Sequence, residues 1–184
     1  MKVYLDSGVF IDYLSGRGHT GSYLRTAERR GRTPQQLLAD AETCFSSILA
    51  RHTGITSSLT CYEVEEAMYR ELARSKTGVS REDKYIIPAA RAAITQVLVT
   101  IERFSVSLMD LTKAVVEAQC ANIDLQLRGI RAADALHVAT ALAEGSDLLI
   151  TTDSVILGLD RVFRSASGTI LRCVDTDAAI PLLA

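Results

Sequence analysis

The sequence predicts an α/β protein: a central, twisted parallel sheet of about five strands, covered by helices on both faces. Three observations predict it. Short apolar runs such as Val3-Tyr4-Leu5 do not alternate with polar residues, as expected of strands buried on both faces. Helical segments with a 3.6-residue apolar period separate these runs. Acids stand where strands end or helices begin, the edge at which open α/β sheets bind their ligands.

In chain order, Val3–Leu5 is the first strand and Ser7 can cap a helix from about Gly8 to Leu14, with Gly16 past its end. Residues 15–33 read as a loop carrying Arg25, Arg29, Arg30 and Arg32. That cluster is either a solvated basic loop or a phosphate-contacting patch. Thr33-Pro34 starts a helix to Arg51, and Ile55–Ser58 is a second strand. A helix follows from about Cys61 to Arg74, with the stripe Cys61, Val64, Met68 and Leu72. Ser80 caps a helix to about Arg103, in which Pro88 predicts a kink or a break. Phe104–Leu108 is a third strand and Leu111 to about Asp124 a helix. Arg131–Glu144 is an alanine-rich, largely buried helix. Asp147–Thr151 is a fourth strand ending in Thr152-Asp153, and Thr169–Val174 a fifth.

The 184 residues suit one domain, 1–184, with ample core. A composition 48% hydrophobic and 23% charged is that of a globular chain, and the net charge of −2 gives no global attraction to nucleic acid. Cys44, Cys61, Cys120 and Cys173 form no C-x-x-C pair and read as buried, reduced thiols. The chain opens directly on a strand, with no expected signal peptide, and no apolar run approaches the roughly 18 residues of a membrane span. A soluble, cytoplasmic protein is expected.

Asp6, Glu63, Asp134 and Asp153 carry the chemistry. Asp6 follows strand one, Asp153 follows strand four, and Glu63 and Asp134 lie in first turns of helices. In a parallel sheet these places share one edge. Each acid also has a structural reading. Thr60-Cys61-Tyr62-Glu63 fits a capping box, Asp134 suits a helix dipole, and Asp153 could cap a helix. Asp6 has no such task. Two like charges about 4 Å apart repel by roughly 4 kcal/mol at an effective dielectric near 20. Four converging carboxylates would therefore take up protons or hold a cation. Oxygen ligands favour Mg²⁺ or Mn²⁺, and the matching chemistry is metal-assisted phosphodiester hydrolysis. His19 and His52 lack zinc-like spacing. His137 lies one turn after Asp134 and is either a structural histidine or a group behind the site.

Leu5-Asp6-Ser7-Gly8-Val9, Thr56–Glu63, the run Arg131–Ala141 containing Asp134-Ala135-Leu136-His137, and Leu149-Ile150-Thr151-Thr152-Asp153 together resemble the PIN-domain family, in particular its VapC-type toxins. The resemblance implies the PIN-like fold and a single-stranded ribonuclease dependent on Mg²⁺ or Mn²⁺. It further implies a homodimer restrained by a partner antitoxin. By position it makes Asp6, Glu63, Asp134 and Asp153 the catalytic, metal-binding acids and matches Thr151 to the small hydroxyl residue before the last acid; Ser7, Thr151, Thr152 and His137 are the candidates for places behind the acids or against the substrate. The chain departs from the compact toxins by extra sequence near 16–34 and 75–88.

The alternative is a non-catalytic module of this fold that binds RNA or protein. A phosphatase using Asp6 as nucleophile would need a second Asp where Gly8 stands. A dinucleotide site would need a G-x-G-x-x-G after strand one, which is absent.

Overall fold

Val3, Tyr4 and Leu5 are fully buried, and the strand they form is the middle of the sheet. A computed structural model describes residues 1–16, 24, 27–74 and 83–184. Its strands are β1 (Lys2–Leu5), β2 (Thr53–Ser57), β3 (Ser107–Met109), β4 (Leu148–Ile150) and β5 (Arg172–Val174). They pair in parallel in the order β3-β2-β1-β4-β5. The sheet therefore grows one way from β1 through β2 and the other way through β4. This makes the β1/β4 boundary the point where the connections change direction, the place at the carboxyl ends where open α/β sheets bind their ligands.

The helices are α1 (Ser7–Leu14), α2 (Pro34–Arg51), α3 (Leu59–Arg74), α4 (Asp83–Arg103), α5 (Lys113–Ala121), α6 (Ile123–Leu127), α7 (Ala132–Ala143), α8 (Ser154–Leu157) and α9 (Thr176–Ala179). A 3₁₀ turn over Ile180–Leu182 follows. Alternation along the strands divides the core in two. Val3, Leu5, Leu148 and Ile150 face α1, α2, α3 and α4, with Phe10, Phe45, Ile48, Met68 and Val97. Tyr4 and Leu149 face the other way, against Leu125 of α6 and Ala135, Val138 and Ala141 of α7. Burying a side chain such as Phe45 or Ile150 contributes about 1.5–3 kcal/mol.

Several elements differ from the sequence expectation for local reasons. Asp6, not Ser7, caps α1: its backbone is extended and its carboxylate accepts the Ser7 N–H. Pro88 does not break α4. It stands in the second turn, so the carbonyl its ring would crowd belongs to Lys84 in the terminal turn, where there is room to splay. Phe104 is not in a strand. Val106 N–H bonds back to the Ile101 carbonyl and Ser105 takes φ of 50°, so the helix terminus consumes these residues before β3 begins. The expected helix over 111–124 is two, because Asn122 ends α5 and its side chain caps α6 by accepting the Leu125 N–H. β5 is shorter than 169–174, since the backbone of Thr169 and Leu171 bonds to Ser165, Phe163 and Arg161 instead of to β4. Ser80 and Arg25, and most of the expected insertions, lie outside the described residues.

Arg29, Arg30 and Arg32 are neither a solvated loop nor an open phosphate patch. Their guanidinium groups converge on Asp175, which also caps α9. Arg29 also reaches the fully buried Asp12 at 2.7 Å, and Arg32 reaches Asp40 at 2.8 Å. Sequence-distant acids claim the charge that the sequence left unassigned.

Contrary to expectation, one helix is long and apolar enough by length and composition to cross a membrane, over Lys84–Arg103. Its stripe Ile86, Ala90, Ala93 and Val97 is buried in the protein core, and Arg91 interrupts the opposite side, paired with Glu65 at 3.1 Å. The cysteines are free. Burial pushes the Cys44 and Cys173 thiols up to about 12, while Cys120 is exposed rather than buried.

Candidate functional site

Asp6 stands at the β1/β4 boundary because the strand before it is held on both sides. Its N–H continues the sheet by donating to the Ile150 carbonyl at 3.0 Å. Its carboxylate is buried and divided between two donors. Oδ1 accepts the Ser7 N–H at 2.8 Å, and Oδ2 accepts the Thr151 hydroxyl at 2.5 Å. Thr151 in turn accepts the Asp153 N–H at 3.1 Å. One threonine thus links the acid after β1 to the acid after β4. Asp153 also caps α8, accepting from Val155 and Ile156 at 2.7 and 3.2 Å, so its helix-cap reading holds.

Glu63 is not a capping-box residue. The helix begins at Leu59, two residues earlier than that motif requires, and Thr60 is buried with its hydroxyl 2.8 Å from that of Thr56. Freed from the backbone, Glu63 reaches across to α7, where His137 Nε2 lies 2.7 Å from its Oε2. The same nitrogen is 3.5 Å from Asp6 Oδ1. Nδ1 of His137 lies 2.7 Å from the Tyr4 hydroxyl, and the two rings meet edge to face at 5.8 Å.

The electrostatics follow from this packing. Burial disfavours a charged His137, yet Asp6 and Glu63 outweigh it and hold its pKa above the ordinary imidazole value. Burial would also raise Glu63, but the hydrogen bond and charge of His137, with Ser7 and Arg70, hold it below the usual carboxylate range. Asp134 has no hydrogen-bonding partner of this kind among the described residues, and the charge of His137 offsets only part of its rise. Burial, then Asp153, Asp6 and Glu63, push it up to about 6.

Among the described residues, ligand atoms of Asp6, Glu63 and His137 lie within 4.8 Å of one another. Asp134 and Asp153 stand outside that tight group but close enough for their charges to act on it. Burial first, and then Asp153, Asp6 and Glu63, raise Asp134 to about 6, so oxygen donors crowd one edge with little positive charge beside them. The donors fit a divalent cation on that ground, with oxygen ligands suited to Mg²⁺ or Mn²⁺.

Sequence reasoning placed Ser7, Thr151 and His137 near the acids but missed Tyr4. A tyrosine inside a buried strand carries no motif, and only the direction of its side chain brings it to His137. Thr152 packs against Gly8 of α1, where an added Cβ would meet its Oγ1 at 2.0 Å, and its carbonyl accepts from Arg30 at 3.4 Å.

A parallel sheet with order β3-β2-β1-β4-β5 and acids gathered at its switch point defines a class of α/β protein with an acidic carboxyl-edge site. The PIN-domain family model matches residues 3–162, and the chain belongs to that family. A solved structure, VapBC2 from Rickettsia felis bound to a DNA fragment from the proteins' promoter, is similar in fold. The likeness has a TM-score of 0.55 at 13% identity, covering 94% of this chain and 98% of that chain. No curated protein matches in sequence.

Proposed function

We propose that the chain is an endoribonuclease dependent on Mg²⁺ or Mn²⁺ and the toxin of a toxin–antitoxin pair acting in the cytoplasm. The observation that carries this is the convergence of Asp6 and Glu63 within 4.8 Å at the switch point, with Asp134 pushed up to about 6 beside them. Membership of the PIN-domain family and the VapBC2 likeness support a toxin reading with a small antitoxin partner, and a homodimer is part of the same reading.

Asp6, Glu63, Asp134 and Asp153 would hold the ion. When bound, the ion supplies an acidified water and neutralises charge developing on phosphate oxygens. The protein's own part is preorganisation. The Thr151 hydroxyl occupies Oδ2 of Asp6 and leaves Oδ1 turned towards Glu63 and His137. His137 holds Oε2 of Glu63, and the α8 backbone fixes the Asp153 carboxylate. With the Asp6, Glu63 and Asp153 carboxylates each held by a donor, little reorganisation remains at these three when charge develops.

Purified chain is expected to cleave single-stranded RNA in Mn²⁺ and not in chelator, and Asp6→Asn to abolish cleavage with an unchanged circular dichroism spectrum. Equal cleavage by folded Asp6→Asn protein would overturn the assignment. RNA affinity without cleavage in any divalent ion would favour a non-catalytic binding module.

A further inference from the structure

Of the three arginines that meet at Asp175, Arg30 is the one whose charge is surplus to the fold. The Arg29 and Arg32 side chains are 14% and 12% exposed, and each also holds a second acid, Asp12 and Asp40. Arg30 is 37% exposed, and among the described residues its acid partner is Asp175 alone. Without it, Asp175 keeps Arg29 at 3.1 Å and Arg32 at 2.5 Å. The backbone under Arg30 is unusual as well. Arg29 and Arg32 exchange N–H to carbonyl bonds in both directions, and φ is 49° at Arg30 and 73° at Gly31. That is the geometry of a type I′ turn, whose first central position favours Asn, Asp or Gly. An arginine there is held in left-handed backbone, and residues so held cluster at functional sites.

The turn delivers this side chain to the carboxyl edge of the sheet. Arg30 Nη2 donates to the Thr152 carbonyl at 3.4 Å. The N–H of that same peptide belongs to Asp153 and bonds to Thr151 Oγ1 at 3.1 Å. Arg30 thus stands one peptide from an acid of the site, on its β5 side. We infer that Arg30 binds a backbone phosphate of single-stranded RNA next to the one that is cut, exchanging its share of Asp175 for that phosphate; this rests on the ribonuclease reading above. Asp6, Glu63, Asp134 and Asp153 outweigh one divalent ion, and the chain's net charge is −2, so a polyanion needs fixed positive charge at the rim. A guanidinium meets a phosphate with two parallel N–H donors. The exchange leaves no bare charge behind. Burial would raise Asp175, yet Arg32, the Thr176 N–H and Arg29 hold its carboxyl below the usual range.

The test is binding of a fluorescent single-stranded oligoribonucleotide to the full chain in Mg²⁺ over a series of KCl concentrations. Anisotropy reads it, with Asp6→Asn added to every protein to prevent cleavage. Arg30→Asn places before Gly31 the residue that type I′ turns prefer, so its melting temperature is expected to match that of its parent. Its RNA affinity is expected to fall roughly tenfold, and the slope of log K against log salt by about 0.7, the share of one single-strand phosphate. Arg30→Lys should keep the slope. Arg164→Gln makes an equal change of charge beside Gly168, away from the acids, and should keep both affinity and slope. Should Arg30→Asn fold poorly, Arg30→Gly, equally at ease at positive φ, gives the same reading. With Asp6 restored, Arg30→Asn should raise KM about tenfold and leave kcat within about twofold. Unchanged affinity and slope in the Arg30 variants would overturn the inference, as would an equal loss in Arg164→Gln. A large fall in melting temperature with the parent's slope would make Arg30 a structural partner of Asp175 instead. Wild-type chain that binds RNA without cutting it overturns the nuclease reading, and the slopes still decide the role of Arg30. Wild-type chain that binds no RNA overturns both.

Discussion

Gly8 and Thr152 are in such close contact that a Cβ on Gly8 would stand 2.0 Å from Oγ1 of Thr152 and 2.9 Å from its Cβ. The first turn of α1 thereby rests directly on the turn between β4 and α8, and both turns carry an acid of the site. Gly8→Ala must push Thr152 aside, and a β-branched side chain has few rotamers to move into. The expected cost is about 1–3 kcal/mol in stability, with RNA cleavage reduced through displaced Asp153. Thermal melts and cleavage rates check it. Adding Thr152→Ala should recover part of both losses, because it removes Oγ1 and Cγ2 from the contact.

Thr151 supports the site from the side. Thr151→Val keeps the volume but removes the hydroxyl shared by Asp6 and Asp153. Metal affinity or cleavage is expected to fall by about 10–100-fold, and Thr151→Ser to retain most of both. Comparable losses in both variants, measured by calorimetry and initial rates, would show that the hydroxyl is not what matters.

Asp134 makes the metal-free protein pH-sensitive. Its pKa is raised from 3.8 to about 6 by burial and the neighbouring acids, so the folded state binds its proton more tightly than the unfolded chain. The stability this gives is fully present below about pH 4 and is lost as pH rises through about 6. Asp134→Asn should therefore raise the melting temperature above pH 6 in chelator and change little below pH 4. A divalent ion should erase the advantage by restoring charge balance to the wild type. Melting curves from pH 4 to 8 with and without Mg²⁺ read all of this.

The Arg29–Asp12 pair is structural. Asp12 is fully buried, and its carboxylate lies 2.7 Å from the Arg29 guanidinium. Arg29→Met leaves that charge short of its partner in the interior, at an expected cost of about 3–5 kcal/mol. Asp12→Asn with Arg29→Met should cost less than the two single losses added together. Urea titrations of the four proteins form the cycle. Cleavage by molecules that remain folded should be near wild type, in contrast to Thr151→Val.

The sequence by itself determined the period and order of the elements, since unbroken apolar runs and 3.6-residue stripes are local signals. It also located Asp6, Glu63, Asp134 and Asp153 at strand ends and helix starts. Boundaries were legible where a side chain caps its own helix, as Thr33 and Gln36 do at α2. They were misread where one residue had two local uses, as at Phe104 and at Thr60-x-x-Glu63. Only the tertiary structure decided which partners long-range polar groups take. Glu63 turned from a backbone cap to His137 across 74 residues, and Arg29 and Arg32 turned from the surface to Asp175. It also decided that Tyr4 faces α7 rather than α1. The reason is physical: burial demands that each polar group find a partner, and which partner lies within 3 Å is a property of packed elements, not of spacing along the chain.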